Sequence, residues 1–180
     1  MRLDKYLVEE CYFESRNRAL DAIKSGRVRV DGKRVKASHQ ITPDTQVEVE
    51  DTKFYVSRAA RKLERFLEEY PMELKRKRAL DIGSSTGGFA QILLEHGAGS
   101  LACVDVGSNQ LHVSLREDER LSVFEETDIR DFTDEKGFEV VTCDVSFISV
   151  LQIIGAIDRL STKDIIILYK PQFEVGREVK

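Results

Sequence analysis

Leu80-Asp81-Ile82-Gly83-Ser84-Ser85-Thr86-Gly87-Gly88-Phe89 is the stretch that decides the fold. It reads as a buried strand, a glycine-rich turn and the start of a helix. Such a junction aims backbone N–H groups and a helix N-terminus at a small polar ligand. Three residues further along fit the same place: Asp105 after a second strand, Asp144 after a fourth and Lys170 after a fifth. A pocket at the carboxyl ends of parallel strands would gather all of them.

From Ala79 onward, strands and helices alternate. Strands are expected near 79–82, 101–105, 122–126, 139–143 and 164–169, and helices near 88–96, 108–116 and 149–160. Ile165-Ile166-Ile167-Leu168-Tyr169 is a continuous apolar run, as in a strand buried on both faces. The pattern predicts an α/β fold with a doubly wound, Rossmann-like parallel sheet.

Before that region lies a smaller unit. Leu3, Tyr6 and Leu7 have helical spacing, and Ser15 can N-cap a second helix with Ala19, Leu20 and Ile23 on its apolar side. Gly26 sits where a helix-terminating glycine belongs. Arg27-Val28-Arg29-Val30 alternates as a strand, and Asp31-Gly32 is a hairpin turn signal. A return strand is expected at Lys33 to Val35, with Gln46-Val47-Glu48-Val49-Glu50 closing the sheet. The expected organisation is a small α+β domain over 1–52, a linker over 53–57 that overlaps the connector Asp51 to Val56, and the α/β domain over 58–180. Ser57 starts a helix with Leu63, Phe66, Leu67 and Tyr70 on its apolar side, stopped by Pro71.

Charge is also unevenly placed along the chain. The 180 residues carry a net charge of −4, but residues 1–80 are net +5 and residues 81–180 net −9. In the small unit the basic residues cluster: Arg2, Arg16 and Arg18, then Arg27, Arg29, Lys33 and Arg34 with Lys36. Convergent cations of this kind suit an RNA backbone, although a basic hairpin can also serve only as solvated surface. Lys75-Arg76-Lys77-Arg78 reads either as an exposed loop or as a phosphate contact. Cys11, Cys103 and Cys143 are far apart and read as reduced, apolar residues. His39, His96 and His112 are equally scattered, so no metal site is expected. The charged start Met1-Arg2-Leu3-Asp4-Lys5 and the lack of a bilayer-spanning apolar run lead to the expectation of a soluble, cytoplasmic protein.

The glycine pattern Gly83-x-x-x-Gly87-Gly88 is not the Gly-x-Gly-x-x-Gly of nicotinamide enzymes, and no phosphate-loop motif of NTPases occurs. Asp105, 22 positions after Gly83, can bind ribose hydroxyls of an adenosyl ligand, and Asp128 can receive an adenine amino group. The set suits S-adenosylmethionine, whose zwitterionic end wants backbone donors near Gly83 to Gly87. The expected cofactor-binding residues are Asp81, Gly83, Ser84, Ser85, Gly87, Gly88, Phe89, Asp105, Asp128 and Asp144. Taken singly, each of these aspartates also reads as a helix cap or turn residue.

Two resemblances refine this reading. Arg2-Leu3-Asp4, Ser15-Arg16-Asn17-Arg18-Ala19 and Ile23 through Gly32 resemble the S4-like RNA-binding domain. The motifs Asp81 to Phe89, Asp105-Val106-Gly107, Asp144-Val145-Ser146-Phe147-Ile148-Ser149 and Lys170-Pro171-Gln172-Phe173-Glu174-Val175-Gly176 resemble the TlyA family, whose members are often named hemolysin A. Val56 to Leu63 is similar to that family's helix with the first catalytic lysine. The catalytic domain resembles the FtsJ-type methyltransferases. The resemblance implies a ribosomal RNA 2′-O-methyltransferase using a Lys-Asp-Lys-Glu tetrad, with Lys62, Asp144 and Lys170 as its first three members. The fourth, a Glu, would lie beyond Lys180, so the chain resembles a C-terminally shortened member.

The implied chemistry needs an amine that accepts the proton of a ribose 2′-hydroxyl, an amine beside it, and a carboxylate that orients the first. Lys170, Lys62 and Asp144 would take these parts. The implied partners are ribosomal RNA or ribosomal subunits; the sequence leaves the oligomeric state open. A non-catalytic RNA-binding protein is the alternative, motivated by the missing Glu. A membrane-active hemolysin is disfavoured by the absence of any apolar span.

Overall fold

The computed structural model describes residues 1–13, 15–50, 53 and 55–175. Contacts divide the chain into two units, Met1–Arg58 and Ala59–Lys180. The expected connector falls partly on Asp51, Thr52 and Phe54, which lie outside the described residues.

In the first unit, α1 (Leu3–Glu9) and α2 (Arg16–Lys24) pack beside a two-stranded antiparallel sheet of β1 (Val28–Val30) and β2 (Val47–Val49). Ser15 accepts a hydrogen bond from the Arg18 amide, as an N-cap should. Leu3, Leu7, Ala19, Ala22, Ile23, Val28 and Val30 form the core. The Asp31-Gly32 turn is made, with both residues at positive φ (49° and 75°). The expected return strand at Lys33 to Val35 is not: only a single bridge joins Val30 to Lys33. Two competitors explain the correction. β2 takes the β1 ladder. The segment that follows turns instead to the chain start, where Ala37 and His39 carbonyls accept from Asp4 and Leu3 amides.

In the second unit, α3 (Arg58–Glu69) buries Ala60, Leu63 and Leu67. Phe66 and Tyr70, expected on the same apolar side, are exposed and stack on each other at 5.2 Å. Then follow β3 (Arg78–Ile82), α4 (Gly88–Glu95), β4 (Ser100–Val104), α5 (Val113–Arg116), β5 (Leu121–Phe124), β6 (Phe138–Cys143), a 3-10 turn (Val150–Gln152), α6 (Ile154–Leu160), β7 (Ser161–Ile167) and α7 (Pro171–Glu174). The strands form one parallel sheet in the order β5-β4-β3-β6-β7. Chain order reverses between β3 and β6, and a crevice opens at that point in such sheets.

Strand alternation sends Leu80, Ile82, Ala102, Val104, Val141 and Cys143 into a core with Ile153, Ile157 and Leu160 on one face. Asp81 and Cys103, on the other parity, lie on the other face, where α4 packs against β3 and β4. The structure corrects three sequence expectations here. The helix expected over 108–116 is only the four residues of α5. The one expected over 149–160 is broken into a 3-10 turn and α6. The apolar run of β7 is not buried on both faces: Ile165 is 41% exposed, because β7 lies at an edge of the sheet among the described residues.

Candidate active site

Ile82 delivers the chain into a loop that cannot carry side chains at two points. Gly83 has φ +74°, and a Cβ there would lie 3.0 Å from the Asp144 carbonyl oxygen and 3.1 Å from Val145 Cγ1. The loops after β3 and β6 therefore touch backbone to backbone. Gly87, the α4 N-cap at φ +92°, faces Leu115 and Leu111 so closely that a Cβ would sit 2.4 Å and 2.7 Å from their Cδ1 atoms.

A cavity of about 390 Å³ opens at the carboxyl ends of β3, β4, β5 and β6. Of the expected cofactor residues, Gly83, Ser85, Asp105, Asp128 and Asp144 line it. Asp81, Ser84, Gly87, Gly88 and Phe89 do not, and all five are buried. Residues that sequence reasoning left off its site include Val106, Gly107, Gln110, Thr127, Ile129, Val145, Ser146, Phe147 and Ile148. Several sit inside the very motifs that carry the family resemblance. That adjacency was the available signal.

The acidic groups differ sharply in environment. Asp105 is pinned by backbone: Oδ2 accepts from the Ser85 amide at 2.7 Å and Oδ1 from the Gly107 amide at 2.8 Å. This holds the carboxylate at the cavity wall with lone pairs left over. Asp128 is engaged by Arg130, whose Nε, Nη2 and amide all donate to it. Those contacts, the guanidinium first, draw its carboxyl down to about 2. Asp81 lies beneath the glycine loop, 1% exposed. Its Oδ1 accepts from Thr142 Oγ1 at 2.8 Å, while Oδ2 is buried without a hydrogen-bond partner. Burial pushes this carboxyl up to about 7; Thr142 pulls it back, Asp144 pushes it further, the Ala90 amide pulls it back and Asp105 pushes it up again.

At the rim, Lys170 follows β7 and Asp144 follows β6. Lys170 Nζ lies 2.6 Å from Asp144 Oδ1 and donates to Ser146 Oγ at 2.8 Å. The first contact is ionic, its angles outside hydrogen-bond geometry. Both side chains are mostly shielded, 19% and 15% exposed. Beside them Phe147 is 92% exposed at φ +67°, an unusual conformation for a bulky residue. Its ring meets Phe173 at 5.4 Å. Lys62, the other expected catalytic lysine, is exposed on α3. Among the described residues no hydrogen bond or ion pair joins it to Asp144 or Lys170.

The expected RNA-contacting residues form two groups. Arg2 and Arg16 share Asp4, which is 1% exposed, at 3.0 Å and 2.6 Å. Those guanidinium hydrogen bonds, Arg2's first, hold the Asp4 carboxyl well below the usual carboxylate range. Arg27 donates to Ser25 Oγ, and Arg34 lies across Gly26. Arg29 pairs with Glu50 and stands opposite Glu48 in the sheet register. Arg18 and Lys33 are exposed. In the 75–78 run, Lys77 pairs with Glu139 and Arg78 with Asp134, at the end of β3 opposite the cavity.

The acceptors and shape fit S-adenosylmethionine. A cavity of about 390 Å³ walled by the Gly83–Ser85 turn, a fixed Asp105 carboxylate and apolar side chains has the size and chemistry of an adenosyl ligand. Among the described residues no group of three or more His, Cys, Asp or Glu is placed to hold a metal ion.

Comparison with known proteins agrees. Residues 1–47 match the S4 domain and residues 55–180 match the FtsJ-like methyltransferase family. The chain is 47% identical over 199 aligned residues to the 23S rRNA (cytidine-2′-O)-methyltransferase TlyA of Campylobacter jejuni, covering 100% of this chain and 78% of that protein. It is 41% identical to hemolysin A of Brachyspira hyodysenteriae, covering 98% of this chain and 77% of the relative. A solved structure described as a candidate hemolysin from Streptococcus thermophilus superposes with a TM-score of 0.70 at 34% identity, covering 99% of this chain and 68% of that one. A fixed carboxylate and glycine cradle at the switch point of a parallel sheet, preceded by an S4 domain, thus place this chain in the TlyA family of FtsJ-like methyltransferases.

Proposed function

We propose that this protein transfers the methyl group of S-adenosylmethionine to a ribose 2′-hydroxyl of ribosomal RNA in the cytoplasm. The observation that carries the reading is the Lys170–Asp144 pair, 2.6 Å apart at the cavity rim, in the family whose Campylobacter relative is named for 2′-O-methylation. When bound, S-adenosylmethionine supplies an electrophilic methyl on sulfur. The Gly83 and Ser85 amides are engaged by the Val104 carbonyl and Asp105, so their carbonyl oxygens take the ammonium of its amino acid end, and Asp105 takes the ribose hydroxyls. Asp128, though held by Arg130, keeps acceptor capacity at the base end. Lys170 enters the step as the neutral amine, donating one N–H to Ser146 Oγ and turning its lone pair to a 2′-hydroxyl brought to the rim. The lone pair takes the hydroxyl proton as the oxygen bonds to the methyl carbon and the methyl–sulfur bond breaks, leaving a neutral thioether. The Asp144 carboxylate beside Nζ stabilises the ammonium that forms, and most of the acceleration comes from positioning. Phe147 offers an open aromatic face beside this point, on which a base drawn out of its stack can rest. Exposed Arg18, Lys33 and Arg34, with Arg2, Arg16, Arg27 and Arg29, supply backbone contacts.

The test is transfer of labelled methyl to ribosomal subunits, with Lys170→Ala alongside. Label that resists alkaline cleavage at one nucleotide, and that is lost in the variant, is expected. A folded parent that binds S-adenosylmethionine with micromolar affinity yet transfers no label would overturn the reading. A second reading, a non-catalytic RNA-binding protein, draws on one observation: Lys62 stands exposed, with no link to the Lys170 cluster among the described residues. Lys62→Ala separates the two, since only an enzyme has turnover for it to lower.

A further inference from the structure

Two segments meet above the cavity, and they are fastened together. The loop after β6 runs from Asp144 through Phe147 to the 3-10 turn. The segment after β7 runs from Leu168 through α7. Lys170 bridges them through Asp144 and Ser146, and Phe173 meets Phe147. The outermost fastening is Glu174. Its Oε2 accepts from Ser149 Oγ at 2.5 Å and its Oε1 from the Val150 amide at 2.9 Å. Ser149 Oγ in turn accepts from the Leu151 amide at 3.1 Å, so its one proton is committed to Glu174. Both Glu174 oxygens therefore engage the other segment.

From this geometry we infer that Glu174 is a positioning residue for the cofactor and for Lys170. It acts through Ser149 and the Val150 amide to hold the 145–150 loop as the cavity wall. The inference rests on the methyltransferase reading of the same cavity. Three facts carry it. The loop supplies Val145, Ser146, Phe147 and Ile148 to the cavity lining. It holds Phe147 at positive φ, a conformation that persists only when its surroundings enforce it. And an ionised carboxylate accepting two hydrogen bonds, one from a backbone amide, is among the stronger local fastenings available to a short turn. Releasing it frees the wall without touching the sheet. Glu174 is four residues past Lys170, so the same release loosens the lysine from its far side.

The experiment compares the parent chain with Glu174→Ala, Glu174→Gln and Ser149→Ala. S-adenosylmethionine affinity is measured by calorimetry, methyl transfer to ribosomal subunits by label, and amide hydrogen exchange across the chain. Glu174→Ala is expected to weaken S-adenosylmethionine binding by on the order of tenfold and to lower kcat as well. Exchange should speed up at 145–151 while the β3 and β4 amides keep their protection. Glu174→Gln retains one acceptor and should fall between. Ser149→Ala combined with Glu174→Ala should add little to Glu174→Ala alone. Faster exchange at 145–151 with unchanged affinity and turnover would reduce Glu174 to a helix cap and overturn the inference. So would unchanged exchange. Loss of protection throughout the sheet in Glu174→Ala moves the decision to Glu174→Gln, where parent-like affinity overturns it. A parent that binds but does not methylate defeats the substrate reading alone, and Glu174 is then judged on affinity. A parent that binds no S-adenosylmethionine defeats the cavity assignment and the inference with it.

Discussion

Asp81 and Lys170 show how differently two site residues behave at the scale of single groups. Lys170 reaches the rim with its ammonium held by Asp144 and Ser146. Lys170→Ala is expected to cut methyl transfer by roughly a hundredfold or more, the order typical of a lost proton-transfer group, while S-adenosylmethionine affinity, measured by calorimetry, changes little. Asp81 works from below and is never at the cavity surface. Its folded-state value of about 7 lies above the ordinary carboxyl value, so the folded chain holds an extra proton between the two. Stability contributed by this group is present below about pH 4 and is lost as pH rises towards about 7. Asp81→Asn removes the titration. Its stability relative to the parent, from urea denaturation, should improve between about pH 5 and about pH 8. A difference that stays flat across that range contradicts the buried-carboxyl account.

At the scale of elements, the junctions carry the information. The β3–α4 turn depends on Gly87, where positive φ coincides with Leu111 and Leu115 filling the space a Cβ would take. Gly87→Ala is expected to cost about 1–3 kcal/mol by chemical denaturation, with a parallel loss of cofactor affinity as the 111–115 segment shifts. In the first unit, Asp4 joins the start of α1 to the start of α2 through Arg2 and Arg16. Its depressed value means that its stabilising contribution is full above the ordinary carboxyl value and is lost as pH falls through the folded-state value. Asp4→Asn should lower the urea midpoint at neutral pH and narrow its gap to the parent in strong acid. Equal gaps at both would argue against the ion pairs as its source.

For the whole molecule, charge is graded along the chain. Residues 1–80 are net positive, and residues 81–180, which line the cavity, are net negative. A Lys33→Glu and Arg34→Glu double variant is expected to weaken ribosomal RNA binding at least tenfold and to flatten its salt dependence, leaving S-adenosylmethionine affinity intact. Filter binding over a salt series checks this. Weakened cofactor binding instead would mean that the basic turn supports folding. No helix among the described residues is long and apolar enough to cross a membrane.

Much of this was written in local sequence. The Leu80–Phe89 junction, the β/α alternation, the Ser15 cap and the Asp31-Gly32 turn depend on neighbours in the chain, and each formed as its residues dictate. Asp105, Asp144 and Lys170 were legible for the same reason, since strand ends can be read from periodicity. What needed the tertiary structure was every choice between competing partners. β1 could have paired with the residues after its turn; β2 took the ladder and the α1 start captured residues 37–39. The Ile165–Ile167 run could not announce whether it was central or at an edge, because strand order is set by contacts far apart in sequence. Burial divided the aspartates, putting Asp81, inside β3, under the loop and Asp105, just past β4, at the wall. Glu174 became part of the site only when folding brought it to Ser149, 25 residues away, since hydrogen bonds between loops leave no period in the sequence.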